Sequence, residues 1–213
     1  MEEFNQWAGM PIVCIATGPS LKQWQIDIVE AAHSQNKCKV ITVNNAWELC
    51  PWGDAHYAGD RRWWERYLPE MGDTKGQKWC GCPGGAKQFN LNYIKRKQML
   101  LLPLEPGLIS HGCNSGHQAL SLAFQFGGNP IILLGYDCQY EGAKPKGKRH
   151  YFGSHPAGWG DANNAKKGSG VCEGWKLNFQ SLEDCFVEQG IEVINCSIDT
   201  ALTFKRACIS EVL

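Results

Sequence analysis

The chain carries no surplus charge of either sign. Its 21 basic side chains balance 21 acidic ones. That argues against a protein held on nucleic acid mainly by phosphate neutralisation, which needs a basic excess. A long apolar run is also missing. The longest strongly apolar stretch, Pro130 to Gly135, falls far short of the roughly 18 residues of a membrane helix. Met1 is followed by Glu2 and Glu3 rather than by a basic and then apolar segment. No export signal is therefore predicted, and a soluble cytoplasmic protein is expected. No repeat at a fixed period is present. Two nucleotide signatures are absent as well. No Gly-Lys-Ser/Thr follows the early glycine turn, which excludes a Walker-type phosphate loop, and the three-glycine dinucleotide fingerprint does not occur.

The chain does have enough residues and apolar content for one substantial core. It has 213 residues, 43% hydrophobic and 20% charged. A domain of that length buries roughly 70% of its unfolded surface. One domain carrying a long functional loop is expected. The 11 cysteines would suggest a disulfide framework only in an exported chain. Cys14, Cys38, Cys138, Cys185, Cys196 and Cys208 stand in apolar or strand-like surroundings and read as buried reduced thiols. Cys80-Gly81-Cys82 is the one close pair and falls short of a four-ligand zinc set, so no metal site is assigned. Most of the nine tryptophans, including the Trp63-Trp64 pair, read as core.

Short β-rich runs alternate with helical periodicity. Pro11 to Thr17 reads as a buried parallel strand ending at Gly18-Pro19. Ser20 is placed as a helix N-cap ahead of Leu21 to Ala32. Strands are predicted at Lys39 to Val43 and Ala55 to Ala58, and a helix at Arg61 to Tyr67. A Gly-rich loop is expected near Gly81 to Gly85, then an apolar run from Gln98 to Leu104. Ser115 to Phe126 carries the clearest helical pattern. Pro130 to Gly135 is a core strand, Trp175 to Gln189 a helix and Ile191 to Asn195 a last strand. Between them, residues 139–170 are polar and lack apolar periodicity, which predicts a lid or functional loop. The alternation predicts an α/β, Rossmann-like domain: a mostly parallel sheet with helices on both faces.

In such a sheet the ligand lies beyond the C-terminal strand ends. The residues that fall there are Gly18, Pro19 and Ser20, then Asn44 and Asn45, then Gly59 and Asp60, then Asp137, then Asn195 to Ser197. Thr17-Gly18-Pro19-Ser20 fits either an ordinary capped turn or a helix start open to an anion. Asn114-Ser115-Gly116 opens a second helix with the same two readings. Asp137, after the strongest strand, fits a ribose or metal contact as well as a turn; Asp60 shares that ambiguity. In the polar loop, His150, Tyr151 and His155 stand near Lys146, Lys148 and Arg149, a grouping suited to anion handling and proton transfer. His111 and His117 read as local to the second helix start.

Gly18-Pro19-Ser20-Leu21, Asn44-Asn45, Ser115-Gly116, Gly135-Tyr136-Asp137, His150-Tyr151 and His155, in that order, resemble the small bacterial sialyltransferases. The same set resembles their relatives, the archaeal hydroxymethylpterin pyrophosphokinases, which have small stand-alone kin in phages and prophages. The resemblance implies that Gly18, Pro19 and Ser20 lie against the nucleotide phosphate. It places Asn44 and Asp60 at the nucleotide or donor sugar, Ser115 and Gly116 at the base or phosphate, and Asp137 at the ribose. Tyr140 or Tyr151 would steady the leaving phosphate, and His150 or His155 would be the general base. The implied activity is transfer of a group from a nucleotide-activated donor, foremost a CMP-type sugar, to an acceptor the sequence does not identify, with no cofactor required. A pyrophosphokinase using ATP and Mg²⁺, with Asp60 and Asp137 facing the metal, is the first alternative. A nucleotide-binding or host-interaction protein without chemistry is the second. A phage-encoded copy would act in the host cytoplasm.

Overall fold

A computed structural model of the chain describes residues 4–99, 101–140, 148–153 and 170–213. Ten strands are formed: β1 (Ile12–Ile15), β2 (Lys39–Val43), β3 (Ala55–Ala58), β4 (Gln77–Cys80), β5 (Asn92–Tyr93), β6 (Lys95–Lys97), β7 (Leu108–Ser110), β8 (Ile131–Leu134), β9 (Val193–Asn195) and β10 (Lys205–Arg206). Among the described residues six α-helices accompany them: α1 (Gln23–Ser34), α2 (Arg61–Met71), α3 (Pro83–Phe89), α4 (Ser115–Gln125), α5 (Gly170–Glu188) and α6 (Ile209–Val212). A 3₁₀ turn spans Asn44–Glu48.

Eight strands make one sheet in the order β10-β9-β8-β1-β2-β3-β4-β5. Its neighbours are parallel throughout. β6 and β7 pair separately, also in parallel. The central strands are β1 and its neighbours: Ile12 stands opposite Lys39 on β2 and opposite Ile131 on β8. Both faces of β1 are covered, which is why its sequence reads as an unbroken apolar run. Ile12 and Cys14 join the cluster built on α4 and α5, with Leu120, Phe126, Phe179 and Phe186. Val13 and Ile15 point the other way, into the cluster of Leu21, Ile26 and Val29 with Ile209. A third cluster at the far end holds Trp63, Trp64, Tyr67 and Ala86 from α2 and α3.

The fold is therefore an α/β Rossmann-like one, with a parallel sheet and helices on both faces. From β1 the chain runs outward through β2, β3 and β4, then returns to β8 on the opposite side. The order reverses between β1 and β8, and the crevice of such a sheet opens there.

Several local expectations are corrected. Ser20 does not cap α1, whose N-cap position is Lys22; Ser20 is drawn to Asp137 instead. The segment expected as a Gly-rich loop contains α3, with Pro83 at its first turn, where a missing N–H costs nothing. The described part of Gln98 to Leu104 forms no strand; β6 and β7 flank it. The helix after the polar loop starts at Gly170 rather than Trp175. Of the cysteines read as buried, Cys14, Cys38 and Cys196 are so, Cys138 and Cys185 are half-buried, and Cys208 is exposed. All eleven are free thiols.

Candidate functional site

At the reversal point the loops after β1 and β8 are locked together. Gly18 donates its N–H to Gly135 O at 2.8 Å. A Cβ on Gly18 would fall 2.6 Å from Asp137 Cγ and closer still to Asp137 Oδ1 and Gly135 O. Gly135 has φ +67°, and a Cβ there would run into the Ala16 carbonyl, so neither position has room for a side chain. Asp137 then reaches across: its Oδ2 accepts from Ser20 N–H at 2.7 Å and its Oδ1 from Ser20 Oγ–H at 2.8 Å. Burial pushes the Asp137 carboxyl up to about 6, against the pull of the two Ser20 hydrogen bonds.

This network changes the expected role of the early turn. Gly18 N–H is given to Gly135, Pro19 has none, Ser20 N–H is given to Asp137 and Leu21 N–H to Gly18 O. The amides that were to cradle a phosphate are thus spent inside the protein. Each Asp137 oxygen still keeps a second lone pair that a ribose hydroxyl could use.

A cavity of about 300 Å³ opens over these loops. That is at the small end of ligand sites, which run from roughly 300 to 1,000 Å³. Gly18, Pro19, Asn44, Ser115, Gly116, Asp137 and His150 all line it. Asn44 sits in the left-handed region at φ +50°, directly after β2. On the opposite wall, α4 begins. Asn114 caps it by accepting from Gly116 N–H at 2.7 Å and His117 N–H at 3.2 Å. The donor expected from Gly116 is therefore committed to the cap, and Ser115 is the residue of that pair with something to offer.

The described piece of the polar loop, residues 148–153, lies over the mouth. Tyr151 N–H donates to Thr17 O at 2.8 Å and fastens this piece to the loop after β1. Arg149 and His150 face the cavity, as does Tyr140, over whose ring the Arg149 guanidinium stands at 5.1 Å. Tyr151 itself packs on the apolar cluster beside α1, so of the two loop tyrosines Tyr140 is the one in the cavity lining. His155 lies outside the described residues. Helix α5 supplies the remaining wall with Cys172, Trp175 and Phe179. It also steadies the start of α4: Trp175 Nε1–H donates to Cys113 O at 3.1 Å and Asn178 Nδ2–H to Gly112 O at 2.8 Å.

Besides Tyr151, the expected residues Ser20, Asn45, Gly59, Asp60 and Asn195 to Ser197 are not part of the cavity lining. Asn45 accepts from Trp63 Nε1–H at 3.0 Å and donates to Glu48 at 2.7 Å, a packing role between the 3₁₀ turn and α2. Asp60 is exposed at the start of α2 and is not part of the lining. Asp60 and Asp137 therefore do not converge as a pair of acids.

Three thiols not expected at the site are part of the lining: Cys113, Cys138 and Cys172. Burial pushes the Cys138 thiol up to about 12 and raises Cys172 too, so both stay protonated and neither is primed as a nucleophile. Tyr136 also lines the cavity and donates its hydroxyl to Gly116 O at 3.1 Å. Only its position beside Asp137 could have flagged it. Of the residues that the strand-end rule brought together, Gly18, Pro19, Asn44 and Asp137 are at one site, and those that came with α5 are there through packing.

No protein-family model matches the chain, and no curated protein matches its sequence. In three dimensions the chain is similar to a solved structure, the MAf glycosyltransferase from Magnetospirillum magneticum AMB-1. The TM-score is 0.59 with 13% identity, covering 95% of this chain and 34% of that one. The chain thus spans about a third of that protein's length, and the likeness is one of fold.

Proposed function

We propose that this protein is a nucleotide-dependent group transferase, specifically a glycosyltransferase that takes its sugar from a nucleotide-activated, CMP-type donor. The observation that carries the reading is the convergence of Arg149, His150 and Tyr140 with Ser115 over Asp137, at the β1–β8 reversal of a parallel sheet. The fold likeness to a glycosyltransferase supports the class of reaction.

In this reading the nucleoside lies against Asn44 and the Gly18–Pro19 turn, with a ribose hydroxyl donating to Asp137. The donor phosphate sits between Ser115 and Arg149. His150 takes the proton from an acceptor hydroxyl as its oxygen attacks the anomeric carbon. The bond from that carbon to the phosphate oxygen breaks, and the nucleoside phosphate departs with its extra negative charge. Arg149 and the Ser115 N–H and hydroxyl meet that charge in a site walled from water by α5 and residues 148–153.

A thermal-shift screen with CMP, CDP, UDP, GDP, ADP and ATP, each with and without Mg²⁺, tests it. A ligand at 100 times its dissociation constant adds about 2.7 kcal/mol of stability. Stabilisation by a nucleoside phosphate without metal is expected, and its base names the donor. Stabilisation by Mg²⁺-ATP alone would replace this reading with the pyrophosphokinase, and silence toward every nucleotide would sink both.

A further inference from the structure

Beside the cavity, the ends of β3 and β4 carry a basic group that the proposed chemistry does not use. Arg96, on β6, is half-buried and lies across both strand ends. A Cβ on Gly59, just after β3, would stand 3.1 Å from Arg96 Nη1. One on Gly81, just after β4, would stand 2.6 Å from its Cδ and 2.9 Å from its Nε. Two glycines thus leave the track in which the side chain rests, and the stem is held by contact on both sides. Yet among the described residues its guanidinium makes no hydrogen bond and no ion pair. Five N–H donors without an acceptor, on a side chain packed in place, form a receptor for an oxyanion.

The polar groups nearby are otherwise engaged. Tyr57 donates its hydroxyl to Gln118 Oε1 at 2.7 Å, and Gln118 Nε2–H donates to His111 O at 2.6 Å. His111 Nδ1 accepts from Cys113 N–H at 3.2 Å. Burial, and then the charge on Arg96, hold His111 below its usual range, while Asp60 acts in the opposite direction. Asp60 is exposed and makes no ion pair with Arg96 among the described residues. Ser115 is the exception: its Oγ lies 3.5 Å from the same Gly59 Cβ position that Arg96 approaches, and it also lines the cavity. Arg96 is not itself part of the cavity lining, and Ser115 is the residue common to the cavity wall and the surroundings of the guanidinium.

We propose that Arg96, with Ser115, forms an oxyanion subsite continuous with the cavity, which takes a carboxylate or phosphate on the part of the ligand remote from the base. The proposal rests on the nucleotide reading of the cavity. A bidentate pairing of guanidinium with carboxylate or phosphate supplies the geometry. If the anion is a second phosphate, the donor is a nucleoside diphosphate sugar; if it is a carboxylate, the transferred sugar is acidic.

Isothermal titration of wild type, R96K and R96Q separates these outcomes. The probes are CMP, CDP, CMP-N-acetylneuraminate, its methyl ester and inorganic pyrophosphate. Wild type should bind one oxyanion-bearing probe about 10- to 100-fold more tightly than its partner lacking that group. CDP over CMP identifies the phosphate, and the free acid over the ester identifies the carboxylate. R96Q should erase that preference while leaving CMP binding unchanged, and R96K should retain part of it. If CMP binds but R96Q alters no preference, the subsite does not exist. If no nucleotide binds yet pyrophosphate binds wild type and not R96Q, the nucleotide reading fails and the subsite stands. Equal pyrophosphate binding by both in that case overturns the subsite as well.

Discussion

At the scale of single residues, the site is organised by a contact rather than by a free loop. Gly18 touches the Asp137 carboxylate so closely that no side chain fits between them. Gly18→Ala should therefore cost about 1–3 kcal/mol or more through overpacking. Urea unfolding reads this directly, and a midpoint equal to wild type would show that the two loops are not locked. Ser20→Ala removes the Oγ–H hydrogen bond to Asp137 Oδ1 and leaves the backbone N–H bond to Oδ2 in place. The buried carboxylate then keeps only the backbone partner from Ser20, and its pKa should rise further above about 6. Carbon-detected NMR titration of the carboxyl is the measurement, and an unchanged or lower value contradicts the geometry. His150 lines the cavity and is the base of the proposed reaction. In the proposed reaction His150→Gln should lower donor turnover by roughly 10²- to 10⁴-fold while nucleotide affinity holds. Equal turnover would remove His150 as the base.

At the scale of elements, the pattern of apolar residues located what the core buries. β2 and β3 fall where their β-rich runs stand, and α4 spans the residues whose apolar face repeats at helical spacing. The failures have physical causes. β6 reads Lys-Arg-Lys, and a strand paired at a small separate sheet carries no apolar alternation to detect. α3 opens Pro-Gly-Gly, poor helix formers by propensity. It exists because Ala86 packs into the cluster with Trp64 and Cys80. Ser20 has the chemistry of an N-cap, but the acid on a neighbouring strand offers it two hydrogen bonds, so the helix begins later. Asn114 is a cap in fact. Asn114→Ala should cost about 1 kcal/mol of stability. It should also free the Gly116 and His117 amides at the cavity wall. Chemical denaturation checks the first effect, and amide exchange of those two residues checks the second; unaltered exchange would mean the cap is held by other groups.

At the scale of the whole molecule, three buried titratable groups set a pH dependence. His56 is buried, hydrogen-bonded to Thr42 Oγ1 at 2.6 Å through Nδ1, with Nε2 lacking a partner. Burial, with Lys78 adding to it, lowers His56 to about 4; burial does the same to His117. Both are neutral in the folded state where the unfolded chain, near 6.5, already binds protons. Stability is therefore lost as pH falls from about 6.5 to about 4, on the order of 3 kcal/mol for each histidine. Asp137 opposes this. Its carboxyl is raised to about 6, so the cost of its ionised form is relieved as pH falls through about 6, reaching about 3 kcal/mol below the unfolded value near 3.8. Two histidines outweigh one aspartate, so net stability should fall on acidification. Urea titrations at pH 7, 5.5 and 4.5 measure it, and the slope should ease in Thr42→Ala/His56→Leu, which removes one of the two groups. A flat profile in wild type would show that the histidines are not buried as described.

The order of strands and helices, the parallel sheet and most of the rim residues were legible in the amino-acid sequence. Burial on both faces writes a strand as an apolar run, and strand ends collect small polar residues. Gly18, Asn44 and Asp137 came from that rule, Ser115 from a helix start and His150 from the polar loop, and all five line one cavity. Tertiary structure alone decided which backbone amides remain available, because pairing of Gly18 with Gly135 and of Ser20 with Asp137 joins segments more than a hundred residues apart. It also decided that Asn45 serves packing, that Tyr140 rather than Tyr151 meets the cavity, and that Arg96 reaches the rim from a strand without an apolar signature. Local pattern records what a residue prefers beside its chain neighbours; the competition among distant partners for the same hydrogen bonds and the same space is settled only when the sheet is assembled.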